Sequence, residues 1–143
     1  MGARFTKWRA VIAIGGGIPS RACIEVNAQA LARYAALCQK AGLIPIVKPE
    51  VLMDGEHTLE QCRAATEDVL HNVFAQLYTQ RVMLEGMIVT SNMVLEGLAC
   101  SGQETVAEVA ETTVQCLLRV VPASVPGTAF LSDGQPGELA SAR

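Results

Sequence analysis

The chain has 143 residues and a mass of 15.2 kDa, the size of one domain. Hydrophobic residues make up 50% and charged residues 17%, which excludes intrinsic disorder as the main state. Eleven basic and 14 acidic side chains give a net charge of −3. That balance lacks the basic surplus of a nucleic-acid binder, and no apolar run approaches the roughly 20 residues that cross a bilayer.

Residues 9–14 form a short apolar run ending in Gly15-Gly16-Gly17 and predict a strand. The glycines match neither phosphate-loop nor dinucleotide-loop spacing, so a plain strand-to-helix turn is expected. From residue 20 to 41 apolar side chains recur at helical spacing, at Ile24, Ala28, Leu31, Ala35 and Cys38, and Gly42 stops the helix. Residues 43–47 predict a second strand and 53–57 a polar loop. Thr58 with Gln61 forms a capping box that opens a second helix, with Cys62, Thr66, Val69, Val73 and Leu77 inward. Residues 83–89 predict a third strand. Thr105 with Glu108 is another capping box, opening a helix with Val106, Val109, Thr113, Cys116, Leu117 and Val120 inward, ended by Pro122 and Pro126. Residues 128–131 predict the fourth strand.

The pattern is therefore βαβαβαβ, an α/β chain. Its strands are almost wholly apolar, as in a parallel sheet covered on both faces. Right-handed crossovers put all three helices on one side. A four-stranded sheet with one face left open is half of a (β/α)₈ barrel, the open face being the barrel interior. A doubly wound sheet is the alternative, but nothing marks a reversal of strand order. The five cysteines stand far apart with no Cys-x-x-Cys, so small buried hydrophobes in a reducing compartment are expected, with no metal site or disulfide framework. His57 and His71 have no nucleophile at a recognisable spacing, and Met83, Met87 and Met93 read as core and loop filler.

Sites of parallel α/β folds lie at the carboxyl ends of the strands. Lys7 and Arg9 are two apart and share a face, as do Lys48 and Glu50. Thr90, Ser91 and Asn92 end the third strand, and Ser132, Asp133, Gly134 and Gln135 end the fourth. The cations either face a cavity that takes an anionic substrate or are solvated loop residues.

These strand ends carry a resemblance. Phe5-Thr-Lys-Trp-Arg9 is similar to the Phe-Ala-Lys-Trp-Arg strand of class I fructose-bisphosphate aldolases. The likeness runs on through Ile18-Pro-Ser20, Ala32-Arg-Tyr-Ala35, Ile44-Pro-Ile-Val47, Pro49-Glu-Val-Leu-Met-Asp-Gly55, Leu84-Glu-Gly86, Asn92-Met-Val94 and Phe130-Leu-Ser132. It implies a (β/α)₈ barrel of which residues 1–143 are a single partial domain, the middle four strands of eight. It also implies the reversible cleavage of fructose 1,6-bisphosphate to two triose phosphates through a lysine Schiff base, with no metal or cofactor. By that resemblance Lys7 and Arg9 are substrate-binding cations, Lys7 also assisting the chemistry. Glu50 is the second carboxylate of a Glu-Pro-Glu motif. Ser132 is a phosphate-binding serine whose loop, Gly134 included, presents backbone N–H groups.

Three positions depart from the family's pattern. The Schiff-base lysine of Lys-Pro-Asn-Met-Val is Thr90, and a hydroxyl forms no imine. The first carboxylate of Glu-Pro-Glu is Lys48. The loop glycine after Ser132 is Asp133. The favoured expectation is a truncated copy without aldolase activity. Two others stand beside it. The chain could be a non-catalytic protein that binds a sugar phosphate (fructose 1,6-bisphosphate or a triose phosphate), pairs as a homodimer or docks to a full-length aldolase subunit. Or it could be a lyase whose nucleophile has moved to Lys48, since a buried amine sheds its proton more easily. No nucleic-acid or membrane partner is expected, and a cytoplasmic location is expected, a plastid form being the alternative.

Overall fold

The computed structural model describes residues 2–102, 104–132 and 135–142. The expectations placed on Asp133 and Gly134 therefore lie outside the described residues. The chain order is β1 (Phe5–Ile12), α1 (Arg21–Lys40), β2 (Ile44–Val51), α2 (Leu59–Thr79), a single 3₁₀ turn (Leu84–Gly86), β3 (Ile88–Thr90), α3 (Val106–Val120), β4 (Thr128–Ala129) and α4 (Gly137–Ala142). The four strands form one parallel sheet in the order β1-β2-β3-β4. The order never reverses, as a doubly wound sheet would require. No helix among the described residues is long and apolar enough to cross a membrane.

The helices begin where side-chain caps satisfy their first amides. Ser20 Oγ accepts from Cys23 N, and Thr58 and Thr105 each form the full capping box with Gln61 and Glu108. The Thr105 hydroxyl and amide hold the Glu108 carboxyl below its usual range. α1 ends as Gly42 takes a φ of 72° and Leu43 N donates to the Cys38 carbonyl at 2.9 Å. At the end of α2 the same left-handed turn falls on Arg81, at φ 56°, where Val82 N reaches the Leu77 carbonyl. A side chain there is strained and glycine is not. Arg81→Gly is expected to raise the unfolding free energy by about 1 kcal/mol, read from the urea midpoint; an unchanged or lower midpoint would contradict it.

The predicted inward stripes of α1 and α2 are buried, as are Val109, Thr113, Cys116 and Val120 of α3; most of the two stripes, with Cys116 and Val120, pack with Ala10, Ile12, Val47 and Val89 into one core. Val106 and Leu117 are half-buried. Tyr34 fixes α1 against β1: its hydroxyl donates to the Thr6 carbonyl at 2.6 Å and its ring lies 5.6 Å from that of Trp8. Cys38, Cys62 and Cys116 are buried, but Cys23 is exposed and Cys100 half-exposed, so the expectation of buried cysteines holds for three of five. Burial, with the Glu67 carboxylate nearby, pushes the Cys116 thiol up to about 12.

The strand boundaries differ from expectation for physical reasons. β1 starts at Phe5, not residue 9, because Lys7 and Arg9 occupy the open face, where polar side chains do not interrupt a strand. β2 runs past residue 47 to Val51, for the same reason at Lys48 and Glu50. Of the predicted 83–89 strand only Ile88 and Val89 join the sheet, with Thr90 added at its end. The segment before it is held by α1 instead: Gln39 accepts from Met83 N and donates to the Met83 carbonyl, at 2.9 and 2.7 Å. β4 is two residues long, and α4 was not foreseen.

Candidate functional site

The sheet's alternation sorts its residues by face. Ala10 and Ile12 of β1 point under the helices. Phe5, Lys7, Arg9 and Val11 point to the other face, which is largely open to solvent. The parallel register sets Lys7 beside Ile46, Arg9 beside Lys48 and Val11 beside Glu50. Between β2 and β3, Val47 is level with Val89. One step further along that register Lys48 is level with Thr90, on the same face and one strand spacing away, about 4.8 Å. Lys7, Arg9, Lys48, Glu50 and Thr90 are thus gathered on one surface.

Glu50 is the electrostatic centre of the group. Its Oε2 forms ion pairs with Arg9 Nε and, at 3.4 Å, with Lys48 Nζ. The Lys48 and Glu50 side chains are 4% and 5% exposed, whereas Arg9 is half-exposed. Two cations converge on one oxygen of a buried carboxylate, an arrangement that anchors both side chains at the cavity.

A cavity of about 340 Å³ opens at the carboxyl ends of β2 and β3, lined by Arg9, Glu50, Met53, Asp54, Cys62 and Asn92 among others. That is the size of a small-ligand pocket. Of the sequence-predicted residues, Arg9, Glu50, Asn92 and Gln135 reach the cavity. Lys48 and Thr90 are buried in the sheet beside it, Lys7 is exposed one step below Arg9, and Ser132 is exposed beyond β4, where its carbonyl accepts from Gln135 N. Burial pushes the Cys62 thiol up from its ordinary value, so it lines the cavity as a neutral group.

Asn92 has a part that its reading as a strand-end polar residue did not foresee. Its Oδ1 accepts from Val51 N at 3.0 Å, and its Nδ2 donates to Thr66 Oγ1 at 3.1 Å and to the Met93 carbonyl at 3.0 Å. One buried amide so ties the end of β2, next to Glu50, to α2 and to the chain leaving β3. Spacing does not reveal such a role, because its partners come from three elements. Asp54, Cys62 and Met93 also line the cavity, and only the fold shows it. Among the described residues no group of His, Cys, Asp and Glu side chains could hold a metal ion.

Sequential parallel β/α units with helices on one face, and a cation–carboxylate cluster on the other at the carboxyl ends, define a segment of a (β/α)₈ barrel with its site toward the interior. The family of glycolytic class I fructose-bisphosphate aldolases matches residues 1–143, and the chain belongs to it. It is 57% identical over 142 residues to the probable fructose-bisphosphate aldolase class 1 of Xanthomonas campestris, covering 99% of this chain and 42% of that protein. It is 50% identical over 140 residues to human fructose-bisphosphate aldolase B, covering 98% and 38%. Among solved structures it superposes on Plasmodium falciparum fructose-bisphosphate aldolase, crystallised with TRAP and a small-molecule inhibitor. The TM-score is 0.97 and the identity 45%, over 99% of this chain and 41% of that one. The chain spans about two fifths of the length of these relatives.

Proposed function

We propose that residues 1–143 act as one partial-barrel domain that binds a phosphorylated ketose or triose and does not cleave fructose 1,6-bisphosphate by the family's imine route. The observation that carries this reading is the composition of the open face: Arg9 and Lys48 paired with Glu50, a third cation, Lys7, further along the same face, and a hydroxyl at Thr90. Cations placed together in a partly enclosed site attract and orient phosphate oxygens. Ser132 supplies a further contact to phosphate beyond β4. The Thr90 side chain has no amine, so no carbon–nitrogen double bond forms there and the electrons of a breaking carbon–carbon bond have no sink at that position.

A second reading rests on the register of Val47 with Val89, which, carried one residue on, sets Lys48 level with Thr90 on adjacent strands. The amine is displaced by a single strand spacing, and Glu50 stands 3.4 Å from it, within reach to take its proton. Attack of Nζ on a ketone carbon would form the C–N bond and release the carbonyl oxygen as water.

Titration calorimetry with dihydroxyacetone phosphate, followed by borohydride reduction and intact-mass analysis, separates the two. Saturable heat without an adduct is expected, together with no cleavage above background. Heat with an adduct mapped to Lys48 would establish the second reading. No heat at all would overturn both.

A further inference from the structure

Away from the cation cluster, His57 is 4% exposed and neither imidazole nitrogen has a hydrogen-bond partner. The backbone of Leu95 favours its charged form, and does so less than burial disfavours it. An unpartnered polar ring is a destabilised choice for a buried position. It sits under a backbone clasp between two loops. Gly97 N donates to the His57 carbonyl at 2.8 Å, Leu98 N to Met53 O at 2.8 Å, and Ala99 N to Gly55 O at 2.9 Å. The clasp leaves no slack: a Cβ on Gly97 would lie 2.2 Å from the Gly55 carbonyl oxygen. Met53 and Leu95, one from each side of the clasp, line the cavity beside Arg9 and Glu50.

We propose that His57 is a pH-sensitive latch: protonation of its buried imidazole releases the clasp between the 52–58 loop and the 95–100 segment and loosens the rim of the cavity. A charged imidazole in this place has only the Leu95 backbone to favour it, and the cost of burial outweighs that contact. The cleft it lines contains Ile14, Gly15 and Gly16 from the β1–α1 turn and Gln61 from α2, none of which titrates. Among the described residues the one charged side chain there is the exposed Glu56, on its own loop. Glu96, on the facing segment, lines a different cavity. Burial holds the imidazole below its ordinary pKa of 6.5, so the opened state binds the proton more readily than the closed one. The neutral ring's contribution is complete above about pH 6.5 and is lost as pH falls below it.

Amide hydrogen exchange on the 143-residue chain at pH 7.5 and 5.5, corrected for intrinsic rates, tests the latch. In the unaltered protein Gly97, Leu98 and Ala99 are expected to lose at least fivefold more protection at the lower pH than the amides of α1. His57→Gln is expected to abolish that pH-dependent difference, and Glu56→Gln and His71→Gln to leave it intact. Should His57→Gln not fold, the imidazole carbon resonances of the unaltered protein are followed instead. Their midpoint must fall below 6.5 and coincide with the loss of clasp protection. Equal loss in α1 and the clasp, or a His57 midpoint at or above 6.5, would overturn the proposal.

Discussion

Replacing Glu50 by alanine is expected to lower the unfolding free energy by about 3 kcal/mol, the low end of the range for breaking a buried ion pair. The carboxylate anchors two cations with unequal freedom. Arg9 is half-exposed and can turn its guanidinium to water; Lys48, with its side chain 4% exposed, cannot follow. The loss therefore falls mainly on a buried ammonium deprived of this carboxylate. Removing both charges together should be far milder, because apolar side chains of similar volume often replace a buried pair without net loss. Lys48→Met/Glu50→Leu is expected to recover most of the 3 kcal/mol in urea unfolding at neutral pH. A cost below about 1 kcal/mol for Glu50→Ala would show that the pair is solvated and that the open face is no organised site.

The same cluster marks how far the sequence could be read. Pairs two residues apart, Lys7 with Arg9 and Lys48 with Glu50, were legible as sharing a face because a strand's period is two. Which pairs lie beside one another depends on register between strands more than 30 residues apart, and register follows from packing across the whole sheet. Thus the bond from Arg9 to Glu50 and the level placement of Lys48 with Thr90 emerged only from the fold. The helix starts were legible for the opposite reason. Thr58 with Gln61 and Thr105 with Glu108 complete their chemistry within four residues, and both boxes form. The short β3 was not legible, since Gln39 competes for the backbone of Met83 across 44 residues. Asn92 and His57 escaped for a related reason: one is defined by partners from three elements, the other by having none.

Gly97→Ala is expected to be among the most destabilising single substitutions in the chain, at about 4 kcal/mol. The added methyl would stand 2.2 Å from the Gly55 carbonyl oxygen, 2.6 Å from its carbon and 3.1 Å from His57 N. All three are backbone atoms, and no rotamer relieves the overlap. Overpacking alone costs about 1–3 kcal/mol. Parting the loops also weakens three backbone hydrogen bonds of about 1 kcal/mol each, those from Gly97, Leu98 and Ala99. Gly102→Ala is the informative contrast. Its nominal clash is just as close, 2.3 Å, but the neighbour is the carboxylate oxygen of Glu96, the far end of a flexible side chain. That carboxylate can rotate away, so a change within about 0.5 kcal/mol is expected. Urea midpoints of the two variants measured side by side decide the matter. Equal effects would mean that the two loops are not held together by the backbone clasp, and the latch at His57 would then have nothing to release.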